Sequence, residues 1–194
     1  MTDPSNLGTI LPVIRPLSLC LAFKLAACSG DDGADGPAVD ASIDAPAAVT
    51  TVFVVRHAET TGSGTDPLLS AAGQARSELL ATKLAGANIS AIYTSEYHRT
   101  HDTAVPASTA SSVAITVRPI ASASATTYGM ELATLVGDAT PPQAILIVGH
   151  SNTVPETVKA LSGTTIAPIA ETEYDRMYTI TLGDDGAVVD ASTY

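Results

Sequence analysis

The sequence has 194 residues and a formal net charge of −11, and this length predicts one folded domain with a sizeable core. The negative charge argues against nucleic acid or an anionic membrane surface as a general partner, because no basic face is available. The two cysteines, Cys20 and Cys28, lie in the first 28 residues, so disulfides and thiolate metal sites are excluded from the remainder.

The first 28 residues have the pattern of an export signal. Residues 16–28 form an apolar run after Arg15, and the run is shorter than the ~20 apolar residues that span a bilayer. It ends in Leu25-Ala26-Ala27-Cys28, which resembles a bacterial lipobox in which Cys28 is diacylated. We therefore expect an exported protein of the bacterial cell envelope, lipid-anchored at Cys28 with its domain outside the cytoplasm. The alternative is an inert leader or an incorrect start site.

Residues 29–48 differ in composition from the remainder of the chain. They are small, acidic and interrupted by Gly and Pro. Such a segment cannot bury enough apolar surface to offset its ordering entropy, so we expect a disordered acidic linker. The folded domain is expected at residues 49–194.

Strand and helix patterns alternate through this domain. Apolar or alternating runs predict strands at residues 51–55, 89–93, 113–120 and 144–148. Helices are predicted after Ser70, after Thr94, over 126–136 and after 153, and the end of the chain predicts a hairpin over 176–190. This alternation predicts an α/β protein with three α/β/α layers and a mostly parallel central sheet.

Two helices carry more detailed predictions. Ser70 has the character of an N-cap, and the first helix is expected to bury one face formed by Ala72, Ala75, Leu79 and Leu80. Thr153 and Glu156 have the spacing of a capping box at the start of the last helix.

Two of the strands each deliver a histidine at their carboxyl end. Arg56 and His57 follow the first strand, and His150 follows the 144–148 strand after Gly149. Because ligands bind at the carboxyl edge of open α/β sheets, we expect the two histidines to meet there. A neutral imidazole can attack phosphorus to give a phosphohistidine. An arginine such as Arg99, early in the second helix, can bind two phosphate oxygens at once.

Three motifs resemble those of the histidine phosphatase superfamily, also called phosphoglycerate-mutase-like. They are Arg56-His57-Ala58-Glu59, the run Thr94–Ala104 that includes Arg99, and Gly149-His150-Ser151. The resemblance covers nearly all of residues 50–182 and is greatest to the compact branch that contains bacterial phosphohistidine phosphatases. It implies that His57 is the phosphorylated nucleophile and that Arg56, Arg99 and His150 bind the phosphate. It also implies that no metal and no organic cofactor is used.

The resemblance leaves the proton donor open. Larger family members place a catalytic acid in an insertion that is short here, and Ala125 stands where that acid would lie. Glu131 and Glu59 are the candidate acids, and Glu59 is also a candidate for orienting the arginine or histidine. The candidates for substrate binding lie beside the motifs: Thr60, Ser151, Asn152 and His98.

Other polar and aromatic residues receive simpler interpretations. His98, His101 and Asp102 share a helix face but lack a fourth ligand, so a polar face is favoured over a zinc site. The tyrosines are expected mainly to pack, and nothing in the sequence distinguishes one as a pocket residue: Tyr97, Tyr128, Tyr174 and Tyr178.

The expected activity is hydrolysis of phosphate monoesters or phosphoramidates, with a small phosphorylated molecule or a phosphohistidine protein as substrate. The alternative is a non-catalytic lipoprotein on the same fold that binds a phosphoryl ligand or a protein partner, since a fold does not guarantee an activity.

Overall fold

The computed structural model describes residues 49–120 and 124–194. The predicted export signal with its lipid anchor at Cys28, and the predicted linker over 29–48, lie outside the described residues. Within the described ranges the elements in chain order are β1 (Thr50–Arg56), α1 (Ala71–Lys83), β2 (Ala91–Thr94), α2 (His98–Ser111), β3 (Ile115–Val117), α3 (Ala125–Gly137), β4 (Gln143–Gly149), α4 (Thr153–Ser162), β5 (Arg176–Gly183) and β6 (Gly186–Thr193). None of the helices in these ranges has the length and apolar character needed to cross a membrane.

The strands form one sheet in the order β3-β2-β4-β1-β5-β6. The first four strands of this order are parallel, and β5 and β6 are antiparallel to their neighbours. The prediction of a mostly parallel α/β sheet is confirmed, as is the C-terminal hairpin. Because β1 and β4 are adjacent with Arg56 opposite Gly149, His57 and His150 emerge at the same edge.

Helices cover both faces of the sheet, since successive strand residues point to opposite sides. On one face Val55 and Leu146 pack with Leu80 of α1 and Ala104 of α2. The other face has its own cluster of strand residues, α3 and α4: Val52, Val54, Ile145, Ile147, Tyr128, Leu132, Val154 and Val158. Each buried Val, Leu or Ile side chain contributes about 1.5–3 kcal/mol to this packing, and the three predicted layers are confirmed.

The prediction for the buried face of α1 was wrong in part. Ser70 does cap the helix, because its hydroxyl accepts from Gly73 N. The buried residues are Gly73, Ser77 and Leu80, whereas Leu79 is 48% exposed and Ala72 and Ala75 are exposed. The reason is a backbone contact, since a Cβ on Gly73 would lie 2.1 Å from the carbonyl oxygen of Glu59. This close contact with the segment after β1 determines which face of α1 is buried. The apolar periodicity of the sequence alone predicts a different face.

The capping box predicted at the start of α4 does not form. Thr153 is the first helical residue, and its Oγ1 accepts from the backbone N–H of His150 at 2.9 Å. Glu156 instead accepts from the hydroxyl of Thr126 on α3. The helix starts too close to β4 for a separate cap, since the carbonyl of His150 already receives the N–H groups of Thr153 and Val154. Thr153, which was taken for a cap, therefore fixes the backbone at His150.

Helices α3 and α4 touch at Gly129, which gives a stability prediction. A Cβ on Gly129 would lie 2.8 Å from the carbonyl atoms of Glu156, so Gly129→Ala must push the two helices apart. We expect it to lower the free energy of unfolding by about 1–3 kcal/mol, measured by urea denaturation.

The matched control is Gly137→Ala at the end of the same helix, where a Cβ meets nothing within 4 Å. Because alanine has the better helix propensity, this variant should be neutral or slightly stabilised. Equal destabilisation of the two variants would contradict the assigned helix contact.

Candidate active site

A cleft of about 510 Å³ opens at the carboxyl ends of β1 and β4. Seven of the residues singled out in the sequence line it: Arg56, His57, Thr60, Arg99, His150, Ser151 and Asn152. They come from β1, the loop after it, α2 and the turn between β4 and α4, so the sheet order brings distant segments of the chain together. Cys28 lies outside the described residues.

The three remaining candidates do not line the cleft. The side chain of His98 is 67% exposed at the start of α2 and lies 4.0 Å from Asp66. The carboxylate of Glu59 accepts three hydrogen bonds from the guanidinium of Arg76, which lower the pKa of Glu59. This ion pair ties the segment after β1 to α1. Glu131 is exposed on α3.

His57 is held in one ring orientation and one tautomer. Its Nδ1 lies 2.8 Å from the carbonyl oxygen of Ala58, and because a carbonyl only accepts, Nδ1 carries the proton. The lone pair is then on Nε2. Thr103 of α2 fixes the same turn by accepting from Ala58 N at 2.9 Å, and the backbone N–H of His57 donates to Gly149 O.

His150 lies beside His57, with the ring centroids 5.3 Å apart. Its Nε2 is 2.9 Å from the hydroxyl of Ser95, which in turn is 2.8 Å from the hydroxyl of Thr100. These buried contacts orient the second imidazole from β2 and α2. The sequence motif contains Ser95 and Thr100, but only the structure shows that they act on His150.

Both imidazoles are neutral near physiological pH. The pKa of His57 is lowered to about 4, mainly by burial and in part by the positive charges of Arg56 and Arg99. The hydrogen bond to Ala58 O acts in the opposite direction and raises this pKa. Burial, followed by the charge of Arg99, lowers the pKa of His150 to about 3. A neutral His57 keeps its Nε2 lone pair available for attack on an electrophile.

These lowered pKa values predict that the folded state loses stability as the pH falls. Between the ordinary histidine value of 6.5 and about 4, the unfolded chain binds more protons than the folded chain. The free energy of unfolding should therefore fall from about pH 7 to about pH 5, and His150→Asn should reduce the slope. Urea denaturation at several pH values measures this, and a slope unchanged by the substitution would contradict the assignment.

Arg56 is a buried cation, and one of its three nitrogens has no hydrogen-bond partner among the described residues. Its Nη1 donates to the carbonyls of Ala170 and Glu173, at 2.8 and 3.1 Å. Its Nη2 donates to Glu171 Oε2 at 2.8 Å, and its guanidinium stacks on Tyr174, 4.3 Å from the ring centroid. Arg56 Nε is buried with no hydrogen-bond partner among the described residues. A buried unsatisfied N–H is costly, so an anion at this position would be stabilised.

Arg99 approaches the cleft from α2. Its guanidinium stacks on Tyr97, 4.3 Å from the ring centroid, and its Nη1 donates to Thr65 O at 3.1 Å. Asp66 lies 3.6 Å from the same nitrogen and also accepts from His98 N at 2.9 Å, so it caps α2 from the neighbouring loop. The loop after β1 thereby fixes the second cation of the cleft.

Sequence reasoning missed Glu171 and did not distinguish Tyr97 or Tyr174, all of which line the cleft. Glu171 and Tyr174 lie in the irregular segment between α4 and β5, which has no periodicity or motif to reveal its position. Tyr128 and Tyr178, by contrast, are buried in the core as expected. In the described ranges, no group of three or more His, Cys, Asp or Glu side chains could hold a metal ion.

A model of the histidine phosphatase superfamily (branch 1) matches residues 52–120. This range contains β1 with Arg56 and His57 and the start of α2 with Arg99, and it ends before His150. No curated protein matches the sequence.

Solved structures of several phosphatases share the fold. The protein histidine phosphatase SixA complexed with tungstate is 18% identical, with a TM-score of 0.58 over 74% of this chain and 96% of that one. The putative phosphohistidine phosphatase SixA of Agrobacterium tumefaciens is 21% identical, with a TM-score of 0.57 over 75% and 98%. The phosphoserine phosphatase of Entamoeba histolytica, in complex with 3-phosphoglyceric acid, is 17% identical, with a TM-score of 0.56 over 75% and 98%.

Proposed function

We propose that this protein is a phosphatase that hydrolyses phosphate monoesters or phosphoramidates through a phosphohistidine at His57. The observation that carries the proposal is the hydrogen bond from Nδ1 of His57 to Ala58 O, which leaves Nε2 as a nucleophile beside His150 and two arginines. The superfamily match over residues 52–120 and the fold shared with phosphatases support it.

The substrate's phosphate binds where the donors converge. Arg56 contributes its unused Nε, and Arg99 and His150 line the same cleft as further donors. The carbonyls of Ala170 and Glu173 hold the Arg56 guanidinium in place before substrate arrives, so little reorganisation accompanies the reaction. Thr60, Ser151 and Asn152 line the cleft as further contacts for substrate.

The reaction proceeds by two displacements at phosphorus. His57 Nε2 attacks, and the bond from phosphorus to the leaving group breaks. Water then attacks the phosphohistidine, releasing phosphate and restoring the Nε2 lone pair. The arginines stabilise the charge on the phosphoryl oxygens in both steps. We propose that neither step uses a metal or an organic cofactor.

The substrate is proposed to be a small phosphorylated molecule or a phosphohistidine on a protein. The cleft is open on the side of the glycine-containing loop, where Gly62 and Gly64 have nothing near their Cβ positions. An imidazole leaving group needs less help from an acid than an alkoxide does, so phosphohistidine remains a candidate alongside monoesters.

We further propose that the domain acts outside the cytoplasm, tethered to a membrane through lipid on Cys28. The lipobox-like Leu25-Ala26-Ala27-Cys28 and the acidic composition of residues 29–48 support this localisation. Acyl labelling of the wild type against Cys28→Ser tests it, and equal labelling of the two proteins would contradict it.

The activity is tested by phosphate release from a panel containing p-nitrophenyl phosphate, phosphoserine and a phosphohistidine peptide, in the presence of EDTA. We expect turnover of at least one compound that EDTA leaves intact. A folded protein that hydrolyses none of them would instead favour a non-catalytic phosphoryl-binding role on the same fold.

A further inference from the structure

Glu171 brings a carboxylate into the cleft from the segment between α4 and β5. Its Oε2 accepts from Arg56 Nη2 at 2.8 Å, and its Oε1 accepts from the hydroxyl of Ser151 at 2.9 Å. Ser151 directly follows His150, so the carboxylate is held between the two strand ends that carry the histidines. We propose that Glu171 is the proton donor to the leaving group, an inference that rests on the proposed phosphatase function.

Among the carboxylates of the described ranges, Glu171 is the one whose residue lines the cleft. Glu59 is bound to Arg76, and Glu131 is exposed on α3. Glu173 lies in the same segment as Glu171, but its carboxylate accepts from Ala170 N and pairs with Arg176. These contacts direct Glu173 to the segment's own backbone, whereas Glu171 faces the reacting groups.

Exposure also suits Glu171 to this role. Its side chain is 81% exposed, while its partner Arg56 is 4% exposed. The phosphate therefore binds deep in the cleft, against Arg56, and the leaving group extends toward solvent past Glu171. Ser151 and Arg56 keep the carboxyl from rotating away before substrate binds.

Substrate binding changes the charge balance at Glu171. In the free protein, the hydrogen bond from Ser151 and the charge of Arg56 lower the pKa of Glu171. His57 and Tyr174 also face it, and the negative charge of Glu173 lies in the same segment. A bound phosphate dianion offsets the positive charge of Arg56 and repels a second negative charge, and both effects favour the protonated carboxyl.

The protons balance over the two steps. As His57 Nε2 forms its bond to phosphorus, the ester P–O bond breaks, and the leaving oxygen takes the Glu171 proton. The resulting carboxylate accepts a proton from the water that attacks the phosphohistidine. The P–N bond breaks with its electron pair returning to Nε2, so phosphate departs and Glu171 is protonated again.

The experiment compares Glu171→Gln with wild type on two monoesters, p-nitrophenyl phosphate and phosphoserine. The first has a leaving group stable as an anion, and the second an alkoxide that needs a proton. We expect kcat/KM for phosphoserine to fall by about 10²-fold or more in the full-length variant, and kcat/KM for p-nitrophenyl phosphate to fall far less. The matched control is Glu78→Gln, which removes an exposed carboxylate on α1 and should leave both values unchanged.

Two results would overturn the role of Glu171 and leave the phosphatase function intact. An equal loss on both esters would show that Glu171 acts through Arg56 or through binding, and no loss on either ester would show that it takes no part. Failure of wild type to turn over any substrate of the panel would overturn the proposed phosphatase function, and the role of Glu171 with it. Circular dichroism confirms that each variant is folded.

Discussion

Replacing His57 by asparagine is expected to lower kcat by about 10⁴-fold or more, because the residue supplies the atom that bonds to phosphorus. The imidazole is held by Ala58 O at Nδ1, and asparagine offers no comparable nucleophile. The measurement is phosphate release with the best substrate of the panel.

A binding measurement distinguishes a lost nucleophile from a damaged cleft. Arg56 is fixed by Ala170 O and Glu173 O, contacts that do not involve the His57 side chain. His57→Asn should therefore bind inorganic phosphate with an affinity close to that of wild type. Turnover within tenfold of wild type, in a variant freshly purified away from other phosphatases, would contradict the nucleophile assignment.

Replacing Arg56 by lysine is expected to lower kcat/KM by about 10²–10³-fold, the usual cost of removing a preorganised donor to the transition state. Lysine keeps the charge but has no planar fork. The three N–H groups of a lysine ammonium lie on one nitrogen. They therefore cannot reach Ala170 O and Glu173 O, which Arg56 binds through Nη1, and also a phosphate oxygen at the position that Arg56 binds through Nε. The measurement is the substrate dependence of turnover together with the affinity for inorganic phosphate.

The control for Arg56→Lys is Lys83→Ala, which removes an exposed cation at the end of α1. This variant should leave kcat/KM and phosphate affinity unchanged. If Arg56→Lys behaved in the same way, the buried guanidinium would be a structural residue of the 170–173 segment and not part of phosphate binding.

Much of the fold can be predicted from patterns that the sequence carries directly. β1 and β4 are runs of β-branched and aliphatic residues, and their burial on both faces explains why the runs do not alternate. Their parallel pairing could be expected from the strand–helix alternation, and it places His57 and His150 at one edge. The local sequence pattern thus predicts where β1 and β4 end. The pairing of these two strands in the sheet then brings His57 and His150 together.

The errors have a common physical origin in backbone contacts between elements. The buried face of α1 is selected by Gly73 against the carbonyl of Glu59, which no hydrophobic period encodes. Thr153 looks like a cap, yet its hydroxyl binds the backbone of His150 because the turn from β4 into α4 is short. Such contacts depend on how segments approach each other, and only the folded chain reveals them.

Glu171 shows the same limit within the site. The motif residues Arg56, Arg99 and His150 were predicted to lie together and do line one cleft. The carboxylate that completes the cleft lies in an irregular segment, and its position depends on Arg56 reaching the carbonyls of Ala170 and Glu173. The two candidate acids that the sequence offered, Glu59 and Glu131, have other surroundings.

The most direct test is to trap the phosphoenzyme. Wild type is mixed with a ³²P-labelled substrate from the panel, quenched in alkali to preserve phosphohistidine, digested and mapped by mass spectrometry. The account predicts one acid-labile, alkali-stable label on the peptide that contains His57, and no label in His57→Asn. Turnover with a label on another residue, or with no label under conditions that trap a known phosphohistidine protein, would contradict it.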